Sequence, residues 1–337
     1  MYSVVICGTG FIGRIHAAAY KNQINGRLAG VMDAYPEKAE KLALELGVKA
    51  YDSFDRLLSD DSVDVIDVCV PTFLHRTFVE KGLAAGKHVL CEKPMALTLE
   101  ECDAIVNAAE KAETKYMIAH NHRFYVENDL VYQTAASGKL GKIYSCSAYR
   151  IGVTPDWSEG GWIVDPSKSG GAATDFILHD IDLCNWIGGK PRVVMAQGIR
   201  SSRGAWDYMD ISIDYESGIK GFVEGGWMCR GEWPFTQEHR ILGENGVAQW
   251  VSRAEKNIEK RNQANSVIGI FVEGRKAEYP QWVKRDNYEI EIEYFLDCIK
   301  KNVPVDKIKA IDGYRAIQVS LAAKESAETL KPVVIGD

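Results

Sequence analysis

Residues 4–13 read Val4-Val5-Ile6-Cys7-Gly8-Thr9-Gly10-Phe11-Ile12-Gly13, and this stretch decides the fold. Its first four residues are continuously apolar, which is typical of a strand buried on both faces of a parallel sheet. The three glycines have the spacing G-x-G-x-x-G and open a helical pattern. Glycine at these positions permits a tight turn and lets the backbone approach a pyrophosphate at the helix N-terminus. The stretch therefore predicts a strand, a dinucleotide-binding loop and a helix.

The same alternation of apolar runs and helical patterns continues through the first 120 residues. Further strands are predicted at 28–32, 65–70, 88–91 and 116–119. The helices between them have recognisable ends: Pro36 suits a first turn, Gly47 and Gly86 suit the position after a last turn, and Thr98 with Glu101 suits a capping box. Repeated βαβ units predict a doubly wound Rossmann domain of the α/β class over residues 1–122.

The pattern changes after Arg123. Strands are predicted at 143–150, 193–199, 209–215, 219–228 and 238–242, and helices near 126–137, 173–186, 288–301 and 313–330. The hairpin signals at 216–218 and 244–246 indicate that most of these strands are antiparallel. Residues 123–337 are therefore predicted to form an α+β domain with an open, mostly antiparallel sheet.

Composition excludes several classes of protein. The 337 residues carry a net charge of −7 without a basic tract, which argues against nucleic acid as a partner. No apolar run approaches the ~20 residues of a membrane span, and the first residues lack a signal-peptide pattern. The eight cysteines are scattered singly, so neither a metal site nor a disulfide framework is indicated. We expect a cytoplasmic protein.

Asp33 lies 20 residues beyond Gly13, at the end of the second predicted strand. A carboxylate at this position bonds the adenosine ribose hydroxyls of a dinucleotide, and it would repel a 2′-phosphate. NAD is therefore favoured over NADP as the cofactor. The alternative role for Asp33 is to cap the helix that begins at Pro36.

Two further groups of residues have the chemistry of an active site. Lys93 follows a predicted strand in the run Cys91-Glu92-Lys93-Pro94, where it can reach a substrate oxygen; the alternative is an ordinary surface lysine. Asp175 and His179 are four residues apart, so on a helix they share one face. A histidine can accept a hydroxyl proton near neutral pH, and the alternative for this pair is a structural ion pair.

The glycine loop, Glu92-Lys93-Pro94 and the segment from Gly170-Gly171 to His179 occur in an order that resembles the glucose–fructose oxidoreductase / inositol dehydrogenase / rhizopine-catabolism (Gfo/Idh/MocA) family. Further matches are Pro71-Thr72 with His75, and 85–89 ahead of Glu92. The resemblance covers essentially the whole chain. It implies an NAD-dependent dehydrogenase acting on a secondary hydroxyl of a sugar or cyclic polyol, assembled as a homodimer or homotetramer through the second domain.

The resemblance also implies roles for individual residues. Lys93, Asp175 and His179 match the family's catalytic residues, with His179 accepting the hydroxyl proton and Lys93 binding the developing alkoxide. The residues expected to hold the cofactor are Gly8, Gly10, Phe11, Ile12, Gly13, Asp33, Val70, Pro71, Leu74, His75, Glu92, Lys93 and Arg123. Those expected to face the substrate are Lys93, Arg150, Trp162, Asp175, His179, Asp182 and Tyr288, together with Trp157 as an aromatic wall.

The run from His179 to Asp182 resembles the inositol-dehydrogenase-like branch of the family, and this resemblance implies an inositol-like substrate as the best single choice. Ile151 departs from that branch of the family, which commonly has asparagine there. Two alternatives remain open: an NAD-dependent glycosidase that oxidises its substrate transiently, and a nucleotide-sensing regulator without catalysis. The regulator is disfavoured because Lys93, Asp175 and His179 are all present.

Overall fold

The computed structural model of the protein describes residues 1–156, 158–254 and 265–336. Its strands, in chain order, are β1 (Tyr2–Cys7), β2 (Gly26–Met32), β3 (Lys49–Tyr51), β4 (Val65–Val68), β5 (His88–Glu92), β6 (Tyr116–Ala119), β7 (Ile143–Val153), β8 (Pro191–Arg200), β9 (Trp206–Tyr215), β10 (Lys220–Cys229), β11 (Thr236–Gly243), β12 (Gly246–Arg253), β13 (Asn265–Val272) and β14 (Val333–Val334).

The α-helices are α1 (Phe11–Ala19), α2 (Pro36–Leu46), α3 (Phe54–Leu58), α4 (His75–Ala84), α5 (Leu99–Lys111), α6 (Val126–Ala136), α7 (Pro166–Ser169), α8 (Ala172–Asp175), α9 (Leu178–Gly188), α10 (Asn287–Lys301) and α11 (Ala310–Thr329). Short 3₁₀ turns occupy Tyr20–Asn22, Thr72–Leu74, Asn121–Phe124 and Glu159–Val164. None of the described helices is long and apolar enough to cross a membrane.

The chain forms two compact units. The first unit contains Met1–Phe124, Trp157–Trp162 and Arg285–Tyr314, and the second contains Tyr125–Asp156, Ile163–Lys284 and Arg315–Asp337. Helix α10 therefore belongs by its contacts to the unit formed by the start of the chain. The predicted boundary near residue 122 lies close to the first crossing between the units, after Phe124.

The first unit is built on a six-stranded sheet of order β3-β2-β1-β4-β5-β6. Every pairing in it is parallel, as the continuously apolar runs predict. Val4, Val5 and Ile6 on β1 are fully buried, because helices cover both faces of a sheet of this kind. The parallel Rossmann sheet predicted from the sequence is confirmed.

The second unit is built on an eight-stranded sheet of order β13-β12-β11-β7-β10-β9-β8-β14. Among the strands that the structure describes in this sheet, only β7 and β10 pair in parallel, so the sheet is mixed and mostly antiparallel, as predicted. Gly218 has a φ of +85° at the turn between β9 and β10, which is why a hairpin forms at the predicted Glu216-Ser217-Gly218.

Local signals explain most helix ends. Gly47 has a φ of +67° and ends α2, and Gly86 has a φ of +72° just after α4. Thr98 accepts a hydrogen bond from the Glu101 amide at 3.2 Å, which is one half of the predicted capping box. The other half is shifted by one residue, because the Glu101 carboxylate accepts from the Leu97 amide rather than from Thr98.

One prediction for the second unit is wrong: residues 173–186 do not form a single helix. Helix α8 ends at Asp175 and α9 begins at Leu178. The amides of Phe176 and Ile177 both donate to the Ala172 carbonyl, at 3.0 and 2.9 Å. The hydrogen-bond ladder therefore shifts by one residue between the two helices.

Candidate active site

The glycine loop has the close packing that its sequence demands. Gly8 has a φ of +101°, and a Cβ there would lie 2.5 Å from the Cys69 carbonyl oxygen. A Cβ on Gly13 would lie 2.0 Å from the Gly8 carbonyl oxygen. A Cβ on Gly10, in contrast, would have no atom within 4 Å. Gly8 and Gly13 therefore shape the turn, whereas Gly10 leaves open space at the N-terminus of α1.

Asp33 follows β2 and is bound to the glycine loop. Its Oδ2 accepts hydrogen bonds from the amide and the hydroxyl of Thr9, both at 2.8 Å. Its Oδ1 accepts from the Tyr35 amide at 3.0 Å. These bonds orient the carboxylate beside the loop between β1 and α1, where a ribose would lie next to the pyrophosphate.

Lys93 follows β5 and is half-buried. Its backbone amide donates to Oε2 of Glu92 at 3.0 Å. The other oxygen of Glu92, Oε1, lies 3.1 Å from Nε2 of His16, a buried residue of α1. The carboxylate of Glu92 thus connects the lysine backbone to the helix that follows the glycine loop.

A buried polar cluster surrounds His16. Nδ1 of His16 lies 2.8 Å from Oδ2 of Asp67 on β4, and the hydroxyl of Tyr20 donates to the same oxygen at 3.0 Å. Burial opposes a charge on the imidazole, but the Asp67 carboxylate and the neighbouring Cys69 together outweigh burial and raise the pKa of His16 well above its ordinary value. The pKa of Glu291 is also raised well above its ordinary value, mainly because the residue is buried and secondly because of the negative charge of Glu92. The raised pKa of His16 favours a charged ring between the Asp67 and Glu92 side chains, and the raised pKa of Glu291 favours its neutral form.

His16, Asp67 and Cys69 also form a group whose potential ligand atoms lie within 4.8 Å of one another. Both nitrogens of His16 are already at hydrogen-bond distance from carboxylates. Burial raises the pKa of the Cys69 thiol, so its sulfur stays protonated, whereas a metal ligand is a thiolate. We therefore explain the proximity of these three side chains by hydrogen bonding and not by a shared metal ion.

His75 begins α4 and joins two strand ends. Its Nδ1 lies 2.7 Å from the carbonyl oxygen of Pro94, and its Nε2 lies 2.9 Å from that of Val70. Burial lowers the pKa of His75, which favours the neutral ring. Val70, Pro71 and Leu74 are half-buried around the 3₁₀ turn between β4 and α4. The predicted cofactor residues at these strand ends are therefore neighbours in the structure.

Three other predicted residues lie in the first unit. The Arg123 side chain is buried and donates to the Lys307 carbonyl at 2.9 Å and to Asp312 at 3.2 Å. Tyr288, on α10, is buried with its ring 5.3 Å from the ring of His16. Trp162 is half-buried in the 3₁₀ segment Glu159–Val164. Trp157 lies outside the described residues.

In the second unit, Asp175 and His179 lie on either side of the one-residue shift in the hydrogen-bond ladder between α8 and α9. Asp175 is the last residue of α8 and His179 is the second residue of α9. Both side chains are buried, with 7% and 9% exposure. Asp182, one turn further along α9, is fully buried.

Arg150, predicted to face the substrate, is buried on β7 and bound to α9. Its Nε donates to Oδ2 of Asp180 at 2.5 Å, and its Nη2 lies 3.4 Å from Oδ1. Asp180 is the residue after His179. The ion pair therefore attaches the beginning of α9 to the sheet.

Lys324, on α11, holds the chain ahead of Asp175. Its Nζ donates to the Gly170 carbonyl at 2.8 Å and to the Thr174 hydroxyl. Burial lowers the pKa of Lys324 to about 8. The segment that carries Asp175 and His179 is therefore held at both ends, by Lys324 ahead of Asp175 and by the Arg150–Asp180 pair after His179.

His16, Asp67, Asp180 and Lys324 were not predicted from the sequence. One signal was available: Asp67 interrupts the apolar run Val65-Ile66-Asp67-Val68 on a strand buried on both faces. A carboxylate in such a position requires a partner. The sequence does not indicate that this partner is His16.

The residues present fit a bound dinucleotide. The open space at Gly10, the turn formed by Gly8 and the oriented carboxylate of Asp33 all lie at the carboxyl edge of the first sheet. Val70 and Lys93 follow β4 and β5 at the same edge. Such a group would be held by the glycine loop and Asp33.

Comparisons with known proteins support this arrangement. Residues 2–120 match the family GFO_IDH_MocA, described as an oxidoreductase family with an NAD-binding Rossmann fold, and residues 130–249 match the GFO/IDH/MocA C-terminal domain. The myo-inositol 2-dehydrogenase of Thermotoga maritima is 26% identical over 341 residues, covering 97% of each chain. The inositol 2-dehydrogenase of Rhizobium meliloti is 23% identical over 337 residues, covering 98% of each chain.

A solved structure shares the fold. The aldose–aldose oxidoreductase of Caulobacter crescentus, complexed with glycerol, superposes with a TM-score of 0.85 at 22% identity and covers 99% of both chains. Together, the two matched segments span more than half of the chain, in the order in which its two sheets occur. The chain therefore belongs to the GFO/IDH/MocA family of NAD-binding oxidoreductases.

Proposed function

We propose that the protein oxidises a secondary hydroxyl of a sugar or cyclic polyol and transfers the hydride to NAD. One observation carries the proposal. The glycine loop, Asp33 and Lys93 follow β1, β2 and β5 at one edge of one parallel sheet, which is where such sheets bind ligands. A lysine ammonium beside a dinucleotide can stabilise an oxyanion.

In this proposal each residue has a separate task. The nicotinamide ring, when bound, supplies the carbon that accepts the hydride. His179 accepts the proton of the substrate hydroxyl, and Asp175 orients His179 or a neighbouring hydroxyl. Lys93 donates a hydrogen bond to the oxygen on which negative charge develops. Arg150, Trp157, Trp162, Asp182 and Tyr288 are proposed to surround the substrate.

An inositol-like polyol is the proposed substrate class, and NAD the proposed cofactor. Two relatives that match the chain along nearly all of its length are named inositol 2-dehydrogenases. Asp33 favours NAD because its carboxylate, fixed by Thr9, would repel a 2′-phosphate. We therefore expect kcat/KM to be higher with NAD than with NADP.

We expect NADH formation, measured at 340 nm, with at least one member of a panel of inositols, aldoses and their derivatives. Lys93→Met and His179→Asn should each lower kcat about 10²–10⁴-fold while NAD binding persists. Lys81→Met is the matched control, because Lys81 is exposed on α4.

Wild-type turnover in both site variants would overturn the assigned roles. Release of an aglycone from a glycoside without net NADH formation would instead identify the transient-oxidation glycosidase. NAD binding without turnover of any panel member or glycoside would favour the regulator.

We further propose that the protein is a homodimer or homotetramer assembled through the open face of the second sheet. Exposed apolar side chains on that sheet include Met195, Ile199, Phe222, Leu242, Val267 and Phe271. Met195 on β8 and Phe222 on β10 both align with Ser212 of β9, so they lie on one face. An apolar patch of this kind is typical of a protein interface, and a second copy presents the same face.

We also propose a cytoplasmic location. The structure contains eight free cysteines, seven of them buried. Free thiols in this number are typical of proteins from a reducing compartment.

A further inference from the structure

We propose that two buried histidines, His16 and His75, are positioning residues for Lys93 and together form a clasp around it. This inference rests on the proposed function of Lys93. The clasp consists of Glu92 and Pro94, the residues on either side of Lys93, and the histidine that each one contacts. All four belong to the first unit.

His16 acts on the N-terminal side of Lys93. The Glu92 carboxylate bridges two groups, with Oε1 at 3.1 Å from Nε2 of His16 and Oε2 accepting the Lys93 amide at 3.0 Å. The His16 side chain is fully buried, and that of Glu92 is 7% exposed. A buried carboxylate keeps its charge only when it is paired and hydrogen-bonded. His16 therefore determines the position of the group that binds the Lys93 amide.

The position of His16 is itself fixed. Its other nitrogen contacts Asp67 on β4, whose Oδ2 also accepts from Tyr20, and its ring packs against Tyr288. Carboxylate oxygens accept hydrogen bonds, so contacts at both nitrogens require both to carry protons. The imidazolium thus links the chain after β5 to α1, β4 and α10.

His75 acts on the C-terminal side of Lys93. Its two nitrogens face the carbonyl oxygens of Pro94 and Val70, at 2.7 and 2.9 Å, and the residue is 1% exposed. Carbonyl oxygens only accept, so whichever nitrogen carries the proton donates to one of them. His75 is thereby held between the turn after Lys93 and the end of the neighbouring strand, with a hydrogen bond to one of them.

This geometry gives the clasp a function beyond local stability. An ammonium that stabilises developing charge must be held near its productive position, and a displacement of about 1 Å can cost about 10²-fold in rate. Lys93 lies after the end of a strand, where the ladder of β5 no longer restrains the backbone. The two histidines restrain it there instead.

The test compares His16→Gln and His75→Leu with His88→Gln in the full-length protein. His88 begins β5, at the end opposite Lys93, and accepts a hydrogen bond from the Lys115 amide. It is a matched control for loss of a histidine on the same strand. His75→Gln is a rescue variant, because its amide restores an N–H donor.

The first measurement is hydrogen–deuterium exchange of the peptide spanning residues 91–97, which contains the Lys93 amide and requires no substrate. We expect roughly two- to tenfold faster exchange in His16→Gln and His75→Leu, equivalent to the loss of one hydrogen bond.

The second measurement is turnover with NAD and the panel compound that wild-type protein oxidises fastest. We expect kcat to fall about 10- to 100-fold in both variants, with KM for NAD changed less than about twofold in His16→Gln. His88→Gln should match wild type in both, and His75→Gln should recover most of the loss.

Unchanged exchange in folded His16→Gln and His75→Leu would overturn the clasp, and so would faster exchange with wild-type kcat. If His16→Gln does not fold, His75→Leu tests the same claim, because the groups it leaves behind are backbone carbonyls. Wild-type kcat in Lys93→Met would refute the proposed function of Lys93. The exchange measurement would still decide whether the histidines restrain its backbone.

Discussion

At the scale of single residues, the site depends on side chains that hold other side chains. Asp33 is oriented by Thr9, Glu92 by His16, and the start of α9 by the Arg150–Asp180 pair. These supporting groups are buried, where a polar contact is stronger and an unpaired polar group is more costly than at the surface. The positions of the functional groups thus depend on contacts that the sequence alone does not reveal.

The charge on His16 predicts a specific dependence of stability on pH. Burial lowers the pKa of His16, but Asp67 and Cys69 together outweigh it and raise that pKa in the folded protein. Its contribution to the free energy of unfolding is therefore complete below the unfolded-state pKa of about 6.5, and is lost as pH rises through the folded-state pKa.

Urea unfolding of wild type and His16→Gln from pH 6 to pH 10 measures this contribution. We expect the stability difference between the two proteins to be largest at the acid end and to shrink with rising pH. A difference that grows toward alkaline pH would mean that His16 is neutral in the folded protein.

At the scale of elements, the sequence predicts the first sheet well, because each signal is local. The strand at 116–119 has the predicted bounds, and Pro36 and Gly47 mark the ends of α2. The short edge strands β3 and β14, the strands β12 and β13, and the shift between α8 and α9 were not predicted. The shift depends on which amides share the Ala172 carbonyl, and residue spacing alone does not reveal that choice.

The candidate site was predictable where backbone geometry imposes a residue type, as at Gly8 and Gly13. It was not predictable where residues distant in the sequence meet. His16 contacts Asp67 and Glu92, which lie 51 and 76 residues further along the chain. A pairing of this kind follows from strand order, which places β1, β4 and β5 side by side.

At the scale of the whole molecule, two units with different sheets divide the chain. The first unit contains the glycine loop, Asp33 and Lys93, and the second contains Asp175 and His179. The second sheet has exposed apolar side chains on one face, among them Met195 and Phe222, and the proposed assembly covers them with a second copy of the chain.

Analytical ultracentrifugation tests that assembly. We expect wild-type protein to sediment as a dimer or tetramer and Phe222→Glu to shift toward monomer, because a charge at a buried apolar contact is strongly unfavourable. Leu44→Glu is the control, since Leu44 is 87% exposed on α2 of the first unit. Wild-type protein that sediments as a monomer would contradict the proposed interface.

The central claim is that hydride passes from a carbon of the substrate to NAD. The most direct measurement is the mass of the reduced cofactor formed from NAD and a polyol deuterated at its carbon positions, with myo-inositol as the first compound. The account predicts NADH that carries one deuterium and that forms about 10²–10⁴-fold more slowly with Lys93→Met. Unlabelled NADH, or no reduced cofactor with any deuterated sugar or polyol of the panel, would contradict it.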